Sequence, residues 1–367
     1  MKHQIALVGG QTLPIFLGVK EFNPDVLHLI VTSESGDKLY YLLEALKDCK
    51  VKQHFCGAYD VAGVGEICKQ IIAGCAPEDE ISFNLTGGTK LMLIAAQTVL
   101  IEKGLKGFYL NIGNMLTEIP SYSQRELKYQ TSTSDFFTLS GHAISSFRIL
   151  KDYSEEDLAV AKAIQHYSGE SNEYSLLTAH YRDHIKSMKK PCREVLSNGM
   201  FWDWSEGKLV VTSKDGIIRK FISPMVKELF FYGGWWELLV ATSVSDWDAT
   251  QEILMQVILP FKADSKQPKN EIDVLVNRNN KLIFIECKSG IVLQTDINKI
   301  KSIRDTFGGN ASKSILVSQY QPKATLMEKC KELGIGVFYL IGEDGKTVKT
   351  FDELIVDLRK LDVQLAI

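Results

Sequence analysis

Over its first 115 residues the chain alternates short apolar stretches with amphipathic ones, and this alternation restricts the fold more than any other feature. Gln4–Val8, Val26–Thr32, a short run near 52–55, Glu80–Leu85 and Gly107–Ile112 read as strands. Thr12–Phe22, Asp37–Leu46, Gly63–Ala73 and Lys90–Glu102 read as the helices between them. Such alternation calls for a mainly parallel, doubly wound sheet. Two strand ends carry glycine loops, Gly9-Gly-Gln-Thr12 after the first strand and Asn84-Leu-Thr-Gly-Gly-Thr-Lys90 after the fourth. Glycines there let backbone N–H groups approach a phosphate, and the next helix adds its positive end. Thr89 can cap that helix and Lys90 adds charge. Neither loop is a P-loop or a dinucleotide fingerprint. Either alone reads as a tight strand-to-helix turn. Two on one sheet edge read as an anion site, with Ser33 of Thr32-Ser-Glu-Ser35 supplying a hydroxyl.

The second informative stretch lies at Glu271-Ile-Asp-Val-Leu-Val276 and Leu282-Ile-Phe-Ile-Glu-Cys-Lys288. Both read as buried strands joined by the polar turn Asn277–Lys281. Phe284, Glu286 and Lys288 share one face, because side chains alternate along a strand. If Asn277 pairs with Leu282, Asp273 falls opposite Glu286. Like charges so placed are destabilising, and burying them uncompensated costs several kcal/mol each. A bound divalent cation removes that penalty, and Lys288 can hold a water or phosphate oxygen beside it. The alternative is an ordinary hairpin with solvated charges, against which the apolar flanks argue.

Between these regions Glu155–His166 and Tyr174–Ser187 read as helices. Lys208–Thr212 with Lys214-Asp-Gly216 reads as a hairpin, either a winged-helix module or part of a helical connector. Phe201-Trp-Asp-Trp204 reads as packing. A long helix is expected from Pro224 to about Ser243. It places Glu237 on a face with Gly233, Gly234, Val240 and Ala241, where a lone carboxylate needs a reason. Beyond the acidic motif, helices at 296–307 and 324–333 and strands at 314–317 and 336–340 complete an α/β unit.

At 367 residues the chain is long enough for two domains or three. Its net charge of −3 gives no global field for duplex DNA. The window 262–304, however, holds nine Lys or Arg against five acids, so the basic excess gathers around the motif. Seven cysteines without a CxxC pair fit reduced thiols in a cytoplasm. No signal peptide or bilayer-spanning run is visible, so no membrane partner is expected. All seven histidines precede residue 185. A metal in the C-terminal region must therefore take oxygen ligands, which favours Mg²⁺ or Mn²⁺ over Zn²⁺.

Asp273, Glu286 and Lys288 resemble the PD-(D/E)xK nuclease core, although no Pro precedes Asp273. Together with Thr86-Gly-Gly-Thr-Lys90, the whole chain resembles the CARF-domain nucleases of type III CRISPR systems. The resemblance implies a Rossmann-like CARF domain at 1–145, a connector at 146–223 that is helical or winged-helix-like, and a restriction-endonuclease-like α/β domain at 224–367. It implies a cytoplasmic homodimer, allosterically activated by a cyclic oligoadenylate (cyclic tetra-adenylate in the relatives of this layout). Such enzymes need Mn²⁺ or Mg²⁺, cut single-stranded DNA and RNA, and nick supercoiled duplex. Asp273, Glu286, the Cys287 carbonyl and Glu237 would hold the metal, with Lys288 beside it. Gly10, Gln11, Thr12, Ser33, Thr86, Gly87, Gly88, Thr89 and Lys90 would grip the activator, with Gly113-Asn-Met115 nearby. Two other readings fit parts of the chain. One is a constitutive restriction or repair nuclease, and the other is a ligand-sensing transcription regulator using 150–225 as a winged helix. The intact acidic set argues against the regulator, and a dehydrogenase would need a fingerprint the chain lacks.

Overall fold

The computed structural model describes residues 1–111, 114–170, 172–184, 192–196, 198–260, 268–309 and 312–363. Gly113, the expected helical residues 185–187, and Lys262 and Lys266 lie outside them. The N-terminal elements run β1 (Lys2–Leu7), α1 (Leu13–Phe22), β2 (Val26–Val31), α2 (Gly36–Ala45), β3 (Lys50–Phe55), α3 (Val61–Ala73), β4 (Glu80–Asn84), α4 (Lys90–Glu102), β5 (Lys106–Leu110), β6 (Met115–Ile119), β7 (Gln124–Glu126) and α5 (Thr133–Leu139). Their seven strands form one sheet in the order β3-β2-β1-β4-β5-β6-β7. The first five are parallel, and β6 and β7 continue it antiparallel. Every residue of β2 is buried, as expected of a strand covered on both faces. The chain winds outward from β1 in one direction and from β4 in the other. The gap between β1 and β4 is therefore the switch point where such sheets bind ligands.

The rest of the chain runs β8 (Ser146–Arg148), α6 (Glu155–Glu170), α7 (Glu173–His184), β9 (Cys192–Val195), β10 (Phe201–Ser205), β11 (Lys208–Thr212), β12 (Ile218–Ile222), α8 (Val226–Phe231), α9 (Gly234–Ser245), β13 (Thr250–Pro260), β14 (Pro268–Arg278), β15 (Lys281–Lys288), α10 (Gln294–Phe307), β16 (Lys313–Tyr320), α11 (Ala324–Glu332), β17 (Ile335–Ile341) and α12 (Phe351–Val363). A six-stranded mixed sheet orders them β17-β16-β15-β14-β13-β8, and a four-stranded antiparallel sheet orders them β12-β11-β10-β9. The hairpin expected at 208–216 is thus the last in a four-stranded meander. Trp202 and Trp204 on β10 are buried in a core that also takes in α6, α9 and the β14–β16 strands.

Two expectations need correction. The single helix expected from 224 to 243 is two, α8 and α9, because Gly233 takes φ +82°, a left-handed turn that only glycine adopts cheaply. Strand β13 was not anticipated. It sits between β8 and β14 and supplies Gln256, whose φ of +51° breaks the regular strand geometry. The two sheets are not independent. Phe136 and Phe137 on α5 bury against Leu254, Ile300, Ile303 and Phe307, with the rings of Phe137 and Phe307 stacked 5.7 Å apart.

Candidate functional site

The β14–β15 hairpin has the register the sequence implies. Asn277 pairs with Leu282, and the ladder runs to Val274 and Ile285. Beyond that pair the strands part at Asp273 and Glu286. There Asp273 Oδ2 accepts a hydrogen bond from the Cys287 N–H at 2.7 Å. Both acids are buried, Asp273 at 8% exposure and Glu286 at 2%.

Positive charge comes to them from two lysines. Lys288 Nζ lies 2.9 Å from Glu286 Oε1 and 3.4 Å from Asp296 Oδ1. Lys299, one face of α10 away, donates to Glu286 Oε1 at 3.1 Å and Oε2 at 3.0 Å, and its Nζ lies 3.7 Å from Asp273 Oδ1. The Lys299 ammonium thus faces both Asp273 and Glu286. Glu237 stands on the first turn of α9, partly exposed, and accepts from Gln256 Nε2 at 3.1 Å. Gln256 is bracketed by the pairs Met255–Val274 and Val257–Ile272, so its strand position is level with Asp273.

The electrostatics follow from this crowding. Burial, then the neighbouring Asp273, pushes the Glu237 carboxyl up to about 8. Burial, then Glu286, pushes Asp273 up to about 6, against the pull of Lys299 and Lys288. For both lysines burial opposes the charge, but the carboxylates win and hold their pKa above the ordinary value. Burial first, then Asp273 and Glu237, pushes the Cys287 thiol far up, so its sulfur is no thiolate ligand. The two deep carboxylates and the Glu237 carboxyl offer only oxygen donors, the type a hard divalent ion prefers, but their oxygens are not drawn together into one close set. Among the described residues, the one close set of three His, Cys or carboxylate ligands is elsewhere, at His3, Cys75 and Asp79. It lies at the opposite, N-terminal edge of the first sheet.

At the β1/β4 switch point the two glycine loops touch. A Cβ on Gly87 would lie 2.0 Å from the Leu7 carbonyl oxygen, and one on Gly9 would lie 2.6 Å from Gly88 N. Close approach of backbone to backbone therefore requires glycine at these positions. Beside the contact is a cavity of about 410 Å³ lined by Gly10, Gln11, Thr86, Gly87 and Gly88, with Asn111 and Asn114 from the β5–β6 turn. Thr12, Ser33, Thr89 and Lys90 do not line it. Thr12 is the buried N-cap position of α1. Ser33 starts the turn after β2 and is exposed. Thr89 caps α4, accepting from Met92 N–H at 3.2 Å and donating to the Ala58 carbonyl at 2.7 Å. Lys90 is the exposed first residue of α4.

Sequence reasoning missed four residues here. Lys38 donates to the Gly10 carbonyl at 2.7 Å from the neighbouring α2, and its only signal was proximity to the Ser-x-Ser turn. Lys299 could have been found as the residue one helical face from the motif. Gln256 and Asn280 left no local signal, since their roles depend on strand partners.

Family models match both halves of the chain: a Card1 CARF domain over residues 4–136 and a Card1-like endonuclease domain over residues 226–354. The chain belongs to the Card1-like CARF nucleases. It is similar in fold to Can2 from Sulfobacillus thermosulfidooxidans, solved with cyclic tetra-adenylate, at 18% identity and a TM-score of 0.73, covering 99% of each chain. It is similar to protein VC1899 from Vibrio cholerae at 16% identity and a TM-score of 0.75, covering 100% of this chain and 98% of that one. A type III CRISPR defence DNA nuclease activated by cyclic oligoadenylate matches at 18% identity and a TM-score of 0.64, over 98% of this chain and 51% of its own. No curated protein matches the sequence. The CARF domain thus carries the glycine-loop cavity, and the endonuclease domain carries Glu237, Asp273, Glu286 and Lys288. No helix among the described residues is long and apolar enough to cross a membrane.

Proposed function

We propose that this protein is a metal-dependent endonuclease of type III CRISPR defence, switched on when cyclic tetra-adenylate occupies the CARF cavity. One observation carries the reading. A glycine-lined cavity at the switch point of a parallel sheet and a buried pair of carboxylates at the end of a nuclease hairpin occur in the same chain. The solved relative holding cyclic tetra-adenylate supports the choice of activator.

Asp273, Glu286 and the Cys287 carbonyl would hold Mn²⁺ or Mg²⁺, with Glu237 directly or through water. When bound, the ion supplies Lewis acidity toward the scissile phosphate and acidifies water at neutral pH. Lys288 orients the attacking water and offsets the charge that builds on phosphorus. Glu286 holds the Lys288 ammonium in place for that role. Single-stranded DNA and RNA are the substrates this reading favours, with nicking of supercoiled duplex.

A homodimer fits the ligand. A ring of repeating nucleotides has rotational symmetry, so two copies of one loop about a two-fold axis can grip it. Helix α4, which follows the Thr86–Lys90 loop, presents Leu91, Ile94 and Ile101 to solvent at 39%, 53% and 58% exposure. A second copy would cover such an apolar stripe.

The deciding assay incubates the purified protein with Mn²⁺ and labelled single-stranded DNA or RNA, with and without cyclic tetra-adenylate. Cleavage that depends on the ring is expected. Equal cleavage without it would favour the constitutive nuclease, and no cleavage under any condition would overturn the reading.

A further inference from the structure

Part of the CARF cavity wall comes from the other domain. Asn279, Asn280 and Lys281, the turn of the β14–β15 hairpin, line it together with the glycine loops. Asn279 and Asn280 have φ of +50° and +57°, two consecutive left-handed residues that make the tightest strand reversal, and asparagine tolerates both. Asn280 is 5% exposed. Its Oδ1 accepts from the Thr131 N–H at 2.6 Å. Its Nδ2 donates to Asn114 Oδ1 at 2.6 Å and to the Tyr129 carbonyl at 2.9 Å. All three partners belong to the segment that follows β5, and Asn114 itself lines the cavity. A second rung lies further along the hairpin. Asn277 Nδ2 donates to the Thr131 carbonyl at 2.5 Å, and Glu252 Oε2 on β13 accepts from the Thr133 N–H and hydroxyl at 2.5 and 2.7 Å.

The same two strands lead to the acids. Glu286 is six residues from Asn280 along β15, and Asp273 is seven residues away along β14. At about 3.3 Å per residue this is a span of roughly 20 Å. Both strands are hydrogen-bonded on each side, β14 to β13 and β15 to β16, so the hairpin resists bending.

We propose that the activator site is composite, closed by the nuclease hairpin turn, and that Asn280 is the positioning residue carrying its occupancy to Asp273 and Glu286. This rests on the reading of the cavity as the cyclic tetra-adenylate site. A ligand moves an equilibrium only through contacts that differ between two states. The hairpin turn supplies them, because it is the portion of the lining that belongs to the body being moved. Ligand that meets Asn114 and the turn together shifts the hairpin relative to the CARF sheet. The far end of the hairpin then shifts Asp273 and Glu286 relative to Lys299 on α10.

The test uses the full chain. Asn280→Asp keeps the acceptor for Thr131 and removes both donated bonds, and Asn114→Leu cuts the same contact from the other side. Coupling is reciprocal, so loading the nuclease site with Mn²⁺ and a phosphorothioate single strand should change the affinity for cyclic tetra-adenylate about fivefold or more, read by calorimetry. In both variants that ratio should fall to one and ring-dependent cleavage should drop at least tenfold. If one variant fails to fold, the other still reads the contact. A ratio unchanged from wild type in a folded variant overturns the proposal, even where the melting temperature falls, because that is the signature of a merely structural contact. Wild-type protein that takes up no cyclic tetra-adenylate overturns the functional reading, and this one with it. Wild-type coupling that survives in the variants overturns this one alone.

Discussion

Lys299 reaches from α10 to Glu286 at the end of β15, its Nζ 3.0 Å from Oε2 and 3.1 Å from Oε1, while facing Asp273 Oδ1 at 3.7 Å. An ammonium therefore faces both of the buried acids proposed to hold a divalent ion. Opposite charges at about 4 Å interact by roughly 4 kcal/mol at the effective dielectric of such sites. Lys299 and the metal should compete for the same oxygens. Lys299→Met is expected to tighten Mn²⁺ binding roughly tenfold or more, measured by calorimetry on the unactivated protein. Unchanged or weaker binding would show that the lysine does not occupy the cation position.

Removing the acid and its lysine together tests the chemistry. Glu286→Ala with Lys288→Ala should lower cleavage by at least about 10²-fold, while binding of cyclic tetra-adenylate, read by calorimetry, stays within about twofold. Substantial cleavage remaining in that protein would remove the assignment of both residues.

The pH dependence has a definite sign. Glu237 and Asp273 hold their protons up to about 8 and about 6, against ordinary values of 4.5 and 3.8. The folded metal-free chain thus binds more protons than the unfolded one across roughly pH 4 to 8, and its stability falls as pH rises through that window. Metal binding needs the same carboxylates ionised and strengthens with pH. The melting temperature in EDTA should be higher at about pH 5 than at about pH 8, and the rise caused by Mn²⁺ should be larger at the higher pH. A Mn²⁺ effect indifferent to pH would refute the donor set.

Thr89 and Lys90 separate structure from sensing. Thr89→Ala removes a helix cap and should cost about 1 kcal/mol of stability, visible as a lower melting temperature. Lys90→Ala removes an exposed charge at the start of α4 and should leave the melting curve alone. Because Lys90 does not line the cavity, the concentration of cyclic tetra-adenylate for half-maximal cleavage should also stay at the wild-type value. A markedly higher concentration for Lys90→Ala than for wild type would extend the anion site beyond this cavity to the start of α4.

Much of this architecture was legible because it rests on local pattern. The five parallel strands of the CARF sheet declare themselves by alternation. The pairing of Asn277 with Leu282 follows from turn composition and places Asp273 beside Glu286. Where geometry overrode pattern, the sequence was silent. The left-handed Gly233 splits an otherwise continuous apolar helix. The left-handed Gln256 disrupts the strand that delivers its amide to Glu237. Thr89 and Lys90 carry the expected loop chemistry, yet the helix they begin turns them away from the cavity. Asn280 looked like any turn residue, because what it touches lies 149 positions back at Thr131.

The stacked rings of Phe137 and Phe307 have a practical corollary. A polypeptide severed near residue 145 would strand Phe136 and Phe137 on one fragment and leave Phe307 and Ile303 bare on the other. Each piece would be sticky by itself, so the sensor and the cutter are expected to express well only as one uncut length of chain.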